Sequence, residues 1–172
     1  MKKVLEFLAF LKNRNEEYGS LEEVYSCQAI ISLSFGSNNS LSNKYLSKIV
    51  LKIISRQAIP PILQGEVAEC LHSNFLNIIK KNRKYLDTYE VCKQANEVCL
   101  KNDWKKIAIV AHPDHAWRVN KTLKKMRLET VIVNTNMVPY DKRSKQFWTR
   151  RRFFFIFREI LVIIYYSIRK II

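Results

Sequence analysis

Residues 107–119 read IAIVAHPDHAWRV, and this segment is the clearest indication of the fold class in the sequence. Its first five residues form a short, β-branched run that is apolar on both faces, which is typical of a central strand in a parallel sheet. Pro113 favours the first turn of a helix, so we expect a helix over about 114–127. The apolar run at 130–133 then predicts another strand. The stretch therefore indicates a strand, a helix and a second strand in succession.

The same alternation of strand and helix occurs upstream. Residues 28–35, QAIISLSF, predict a buried strand that ends in a polar turn, and Ser40 is a candidate N-cap for the helix that follows. A second short strand is expected over 59–66, followed by a loop or short helix. Asp87 and Glu90 have the spacing of a capping box at the start of another helix. The pattern favours an α/β fold, specifically a Rossmann-like three-layer α/β/α arrangement with a mostly parallel sheet.

The chain length of 172 residues suits one domain. Within it, we expect residues 1–27 to form an N-terminal helical extension and residues 145–171 to form an apolar C-terminal helix. The three glycines exclude a G-x-G-x-x-G loop, and no P-loop motif occurs. The four cysteines form no C-x-x-C pair, so a zinc ribbon is not indicated and reduced cytosolic thiols fit best.

Positive charge is concentrated in the last 72 residues. Residues 1–100 carry 13 basic and 10 acidic side chains, whereas residues 101–172 carry 17 and 5. This excess favours a negatively charged ligand or partner, although solvated lysines in a lysine-rich proteome would give a similar balance. No recognised nucleic-acid-binding module is visible, so nucleic acid is not the expected partner.

The densest polar cluster follows the strand at 107–111. Ligands of open parallel sheets bind at the carboxyl ends of the strands, and this is where His112, Asp114, His115 and Arg118 occur. His115 and Arg118 are three residues apart, so they share a helix face, and Arg118 could bind a phosphate or carboxylate bidentately. The alternatives are an N-cap role for Asp114 and a surface role for Arg118. A metal site is not expected, because no fourth ligand is evident.

The other predicted strand ends and helix starts supply further candidate ligand-binding residues. Glycines allow close approach of a ligand to the backbone, and carboxylates at helix starts could accept a hydrogen bond from a ribose-like hydroxyl or act as a general base. The same carboxylates could equally be ordinary residues favoured by the helix dipole. The candidates are Gly36, Ser37, Asn38, Gly65, Glu66, Thr88 and Glu90.

These residues resemble a known family, the bacterial YdcF, SanA and ElyC proteins, which share the domain of unknown function 218. The resemblance rests on IAIVAHPDHAWRV, on DTYE at 87–90 and on REILVIIYY at 158–166. The family's His-x-x-Arg is matched by His115 and Arg118, and Glu159 falls where its last helix carries a glutamate. Its Thr-x-Glu-Asn is matched by Thr88 and Glu90, with Val91 in place of the asparagine. The glycine-rich turns of the family are reduced here to Gly36 and Gly65.

The resemblance implies a Rossmann-like fold and a divergent branch nearest to the soluble YdcF type. It implies a nucleotide-like ligand, with S-adenosylmethionine as one candidate, and a role linked to bacterial envelope metabolism as either a transferase or a hydrolase. In such a reaction His115 and Glu90 would be the catalytic residues, and His115 would act as general acid and base. Thr88 and Arg118, with the glycine turns and His112, would bind the ligand.

The alternative is a non-enzymatic adaptor that uses the basic C-terminal helix on an anionic membrane surface or an acidic partner. Arg150, Arg151 and Arg152 stand next to a phenylalanine run, as in an interfacial anchor. The longest uncharged stretch there is the nine residues 160–168, which is too short to span a bilayer. We therefore expect a cytoplasmic protein without a transmembrane span, with peripheral membrane association as the open alternative.

Overall fold

A five-stranded sheet lies at the centre of the part of the chain that the computed structural model describes, residues 1–71, 77–79 and 86–172. Every neighbouring pair of strands is parallel, and the order is β3-β2-β1-β4-β5. The strands are β1 (Ala29–Ser32), β2 (Pro61–Gln64), β3 (Asn77–Ile79), β4 (Lys106–Val110) and β5 (Glu129–Ile132). The predicted α/β fold with a parallel sheet is confirmed.

Strand order reverses on the two sides of β1. The chain places β2 and then β3 on one side of β1, and β4 and then β5 on the other. Ile31 of β1 is in register with Ile62 of β2 and with Ile109 of β4. In an open parallel sheet this reversal leaves a crevice at the carboxyl ends of the central strands. The segments that follow β1 and β4 therefore face one another there.

Seven α-helices accompany the sheet within the described residues. They are α1 (Lys2–Asn13), α2 (Leu21–Tyr25), α3 (Leu41–Ile54), α4 (Gly65–Ala68), α5 (Thr88–Lys101), α6 (Ala116–Lys125) and α7 (Arg152–Ile168). Short 3-10 turns occur at Arg14–Glu16, Glu69–Leu71 and Phe147–Thr149. The predicted N-cap at Ser40 is confirmed, because its side chain accepts from the backbone N–H of Asn43. Of the predicted capping box only the Asp87 half is present, since Asp87 accepts from the backbone N–H of Glu90 while the Glu90 carboxylate accepts from Gln94.

Hydrophobic side chains cover both faces of the sheet. Successive strand residues point to opposite faces, so Ile107 and Ile109 pack into one cluster, while Ala108 and Val110 pack into the other. The first cluster contains buried residues from α1, α5, α6 and α7, and the second contains residues from α2 and α3. Helices on both faces give the predicted three layers. Phe7 of α1, within the N-terminal extension, is fully buried.

Two segments differ from the prediction. The short helix expected after the second strand is confirmed as α4, but the strand β3 further along was not predicted, because three residues at a sheet edge carry too little periodicity to be recognised. The last helix begins at Arg152 rather than near residue 145. Arg151 is extended (φ −146°, ψ 147°), and before it Thr149 donates to the Ser144 hydroxyl at 2.8 Å, which stabilises a 3-10 turn instead of a longer helix.

None of the helices in the described ranges combines the length and the apolar character that crossing a bilayer would require.

Candidate functional site

The loop after β1 forms one wall of the crevice, and local hydrogen bonds hold it in place. Asn43 accepts from the backbone N–H of Phe35 at 2.7 Å and donates to the carbonyl of Ser37 at 3.1 Å. The Ser40 hydroxyl donates to the carbonyl of Phe35 at 2.8 Å. Gly36 has φ of +92°, a conformation that favours glycine, so the chain turns sharply at this point.

A pocket of about 60 Å³ lies at the carboxyl ends of β1 and β2, where this loop meets the first turns of α4, α5 and α6. Half of the ten predicted site residues line it. These residues are Gly36, Glu66, Thr88, His115 and Arg118. The two strand ends and the two helix starts that the sequence singled out thus converge in one place.

His115 and Arg118 face each other, as their spacing predicted, and a third residue joins them. The Arg118 guanidinium donates to both carboxylate oxygens of Glu159 in α7, from Nε to Oε1 at 2.7 Å and from Nη2 to Oε2 at 2.9 Å. His115 Nδ1 lies 3.4 Å from Glu159 Oε1 and 3.3 Å from Arg118 Nη2. The three side chains therefore form one contiguous polar cluster.

The ion pair between Arg118 and Glu159 is removed from solvent. The exposed fraction is 3% for Arg118 and 0% for Glu159. Burial alone would raise the pKa of Glu159, but the charge of Arg118 and the hydrogen bonds from His115 and Arg118 outweigh it and lower that pKa to about 2. Glu159 is therefore ionised at neutral pH. We expected Arg118 to bind a ligand through two parallel hydrogen bonds, but in the structure Glu159 accepts both of them.

His115 connects the ion pair to the pocket. Its Nε2 atom lies 3.3 Å from the Thr88 hydroxyl, on the side opposite to Glu159. Burial and the neighbouring Arg118 lower the pKa of His115 below its usual value, against the opposing effect of Glu159. The ring is therefore neutral at pH 7. A proton on Nδ1 would donate to Glu159 and leave Nε2 as the acceptor, which is the tautomer that a general base requires.

The other five predicted residues lie outside the pocket lining. The Glu90 carboxylate accepts from Gln94 one turn along α5 at 3.2 Å, so it is directed along its own helix. Asn38 is exposed and donates to Glu69, and the Ser37 hydroxyl accepts from the backbone N–H of Lys145. The remaining two residues are Gly65, which begins α4, and His112.

His112 lies in an aromatic cluster instead of the crevice. Its ring stacks on Phe35 with centroids 3.7 Å apart and contacts the edge of Tyr140. Its Nδ1 atom accepts from the backbone N–H of Asp114, while Nε2 has no hydrogen-bond partner among the described residues. Burial lowers its pKa well below the usual value, so this histidine is also neutral.

Asp114 is a structural residue rather than an N-cap, since His115 occupies the N-cap position of α6. Its buried carboxylate accepts from Arg14 at 2.9 Å, from the Tyr140 hydroxyl at 2.7 Å and from Arg152 Nε at 3.1 Å. These bonds join the N-terminal extension and the start of α7 to the loop after β4. Arg152 is thereby committed to a contact within the protein.

Arg150 makes a similar contact within the protein, but Arg151 does not share it. Arg150 Nε donates to the carbonyl of Ser144 at 2.7 Å, whereas Arg151 is exposed at the start of α7. Of the three arginines proposed as an anionic contact, two therefore make internal hydrogen bonds. They are not equivalent members of one solvated cluster.

Sequence reasoning missed most of the C-terminal wall of the pocket. These residues lie in or before α7, beyond the last strand, where no strand-to-helix junction marks them. For Glu159 there was one indication in the sequence, since it falls where the last helix of the YdcF, SanA and ElyC family carries a glutamate. The missed residues of this wall are Gln146, Trp148, Thr149, Phe155 and Arg158, and Gln64 at the end of β2 was also missed.

No cluster of three or more histidine, cysteine, aspartate or glutamate side chains suited to a metal ion occurs within residues 1–71, 77–79 and 86–172.

Comparison of the chain with protein-family models, with curated proteins and with solved structures finds no match.

Proposed function

We propose that this protein binds a small anionic ligand in the pocket at the carboxyl ends of β1 and β2. One observation carries the proposal: five residues chosen from four separate sequence segments line the same pocket, and these segments include those that follow β1 and β4, the two strands between which strand order reverses. Loops and helix starts meet at such a point, and ligands of open α/β sheets bind there.

The charges around the pocket suggest the chemistry of the ligand. Arg118 and Arg158 are the cations of the lining, and Glu66 is its carboxylate. Arg118 is bound to Glu159 by a bidentate ion pair. Arg158 lines the pocket with its guanidinium over the Trp148 ring, 5.0 Å from the centroid, and we assign the acidic group of the ligand to this oriented guanidinium. Glu66 would accept from a hydroxyl or amine of the same molecule. The ligand is therefore an acid that also carries a hydrogen-bond donor.

The pocket volume limits how much of the ligand is enclosed. Pockets that enclose a drug-sized molecule measure about 300–1,000 Å³, whereas this one measures about 60 Å³. That volume suits a phosphate or carboxylate group. A nucleotide-like ligand, including S-adenosylmethionine, would place its acidic group here and the rest of its body along the outer crevice.

If the bound ligand reacts, we propose that His115 transfers the proton. Its Nε2 atom lies beside the Thr88 hydroxyl, and its Nδ1 atom lies beside Glu159, so the ring is oriented on both sides. This arrangement suits a transferase or a hydrolase. A link to bacterial envelope metabolism follows only from the resemblance to the YdcF, SanA and ElyC family, and it belongs to the same proposal.

A matched pair of arginine variants tests ligand binding. The melting temperature is measured for the wild type, Arg158→Gln and Arg143→Gln in the presence of inorganic phosphate, AMP and S-adenosylmethionine. Arg143 is a suitable control because its side chain is 89% exposed and the charge change is identical. A bound probe at 100 times its Kd stabilises the folded state by about 2.7 kcal/mol, which raises Tm measurably.

We expect at least one probe to raise the Tm of the wild type and of Arg143→Gln, and to raise that of Arg158→Gln much less. Equal shifts in the two variants would show that the probe binds elsewhere. The absence of any shift with all three probes in the wild type would contradict a phosphate-accepting pocket.

A further inference from the structure

The outward face of α7 is apolar and exposed along the whole helix. Its side chains recur at intervals of three and four residues, so they lie on one side of the helix, with Phe153 76% and Ile168 75% exposed at its two ends. The opposite side is buried through Phe155, Glu159 and Ile163. We define the outer face of α7 as Phe153, Phe157, Leu161, Ile164, Tyr165 and Ile168, all at least 41% exposed.

The largest exposed apolar patch on a folded protein is often a functional interaction site. The first helix extends the apolar character, since α1 packs against α7 and exposes Leu5 and Leu8. The outer face of α7 is therefore a candidate interaction surface.

The charges around the outer face of α7 indicate which kind of partner would bind there. Residues 142–172 contain nine basic side chains and one acidic side chain, Glu159. That carboxylate is fully buried against Arg118, so it contributes no negative charge to the surface. Arg151 at the start of α7 and Arg169 and Lys170 after its end are exposed. An apolar stripe with cations at both ends matches the interface of an anionic bilayer.

Self-association fits these observations less well. A helix of 17 residues is about 25 Å long and about 10 Å wide, so its face offers an area on the order of 250 Å². Stable protein interfaces bury about 800 Å² on each partner. Two copies would also bring together chains of formal net charge +15 each.

We propose that the outer face of α7 binds the surface of an anionic lipid membrane, with the helix lying in the plane of the interface. Phe153, Phe157 and Leu161 would enter the boundary between headgroups and acyl chains, and the exposed cations at the helix ends would contact lipid phosphates. This interaction goes beyond ligand binding. The pocket residues Phe155 and Arg158 remain on the protein side of the helix.

Vesicle sedimentation of the full chain tests this proposal. The probe vesicles contain phosphatidylcholine alone or phosphatidylcholine with one third phosphatidylglycerol. We expect binding to the anionic vesicles that weakens at high salt, because surface charges are screened. Neutral vesicles should bind at least tenfold more weakly.

Two pairs of substitutions separate the outer face from general surface hydrophobicity. Phe153→Gln/Phe157→Gln should lower partition into anionic vesicles at least tenfold without loss of folding, since both side chains are exposed. Leu21→Gln/Leu100→Gln is the control, because these leucines are 62% and 71% exposed on α2 and α5. It should bind as the wild type does. Arg169→Gln/Lys170→Gln should lower partition severalfold and reduce the salt dependence.

Three results would overturn the proposal. The first is equal binding of the wild type to neutral and anionic vesicles, and the second is equal loss of binding in the two apolar variants. The third is the absence of vesicle binding by the wild type. If sedimentation equilibrium then showed a dimer that Phe153→Gln/Phe157→Gln dissociates, the outer face would be a self-association surface instead.

Discussion

The buried pair of Arg118 and Glu159 allows a quantitative test of how the site is built. We consider Arg118→Met, Glu159→Leu and the double variant, which remove one charge, the other charge, or both. Removing one partner leaves a buried charge uncompensated, which costs about 3–5 kcal/mol. Replacing both by apolar side chains of similar volume is typically neutral or stabilising. The pair is a suitable case because the exposed fractions are 3% and 0%.

The assay is urea unfolding followed by circular dichroism. With a slope of about 2 kcal/mol per molar urea, a loss of about 3–5 kcal/mol shifts the midpoint by about 2 M. We expect each single variant to show such a shift and the double variant to unfold close to the wild-type midpoint. The exposed pair of Lys105 and Asp103, with side chains 78% and 86% exposed, is the control and should show barely measurable coupling.

Additive effects would refute this reasoning. If the double variant lost as much stability as the two single variants combined, the side chains would act independently of each other. Arg118 would then not be committed to Glu159, and it would be available to bind the acidic group of a ligand itself.

Two further predictions concern acid stability and the loop after β1. Burial lowers the pKa of both His112 and His115 below 6.5. Below pH 6.5 the unfolded chain therefore binds protons that the folded chain does not. The urea midpoint should consequently fall as the pH drops from 7 to 5. His112→Asn should flatten this fall, and an unchanged pH profile in that variant would contradict the assignment. Gly36→Ala should destabilise the protein by about 1 kcal/mol or more, because φ is +92° and the new Cβ would lie 3.0 Å from the Ser144 hydroxyl. Gly65→Ala, whose Cβ would meet nothing closer than 3.7 Å, should change the melting temperature little, and equal losses in the two variants would count against the role of backbone conformation at Gly36.

The layered fold could be predicted because its signals are local. The apolar run at 107–111 and the capped helices starting at Ser40 and Asp87 each depend on residues within a few positions of one another. Parallel strands joined by helices then bring the strand ends together, so Gly36 and Thr88 meet in one pocket without any long-range information. The edge strand β3, with three residues, falls below the length at which a pattern is recognisable.

The partners of the predicted residues could not be predicted in this way. Glu159 is separated from Arg118 by 41 residues and reaches it only because α7 packs against α1 and buries the face that carries Glu159. His112 belongs to the same polar run as His115, but its ring stacks on Phe35 away from the pocket. The direction of each side chain after a strand depends on packing that a single sequence does not specify.

The helix α7 shows why local pattern and tertiary contact lead to different conclusions about the same residues. Its phenylalanines and arginines are adjacent in sequence, which suggests a single surface that is both apolar and basic. In the folded protein, however, these side chains lie on different sides of the helix. Phe155 faces the pocket and Phe153 faces outward, while Arg152 is bound by Asp114. Because Glu159 holds the inner face against Arg118, the outer face is presented in a fixed orientation relative to the pocket. A variant that broke this ion pair should therefore disturb His115 and the proposed membrane contact together, whereas Phe153→Gln/Phe157→Gln should affect only the proposed membrane contact.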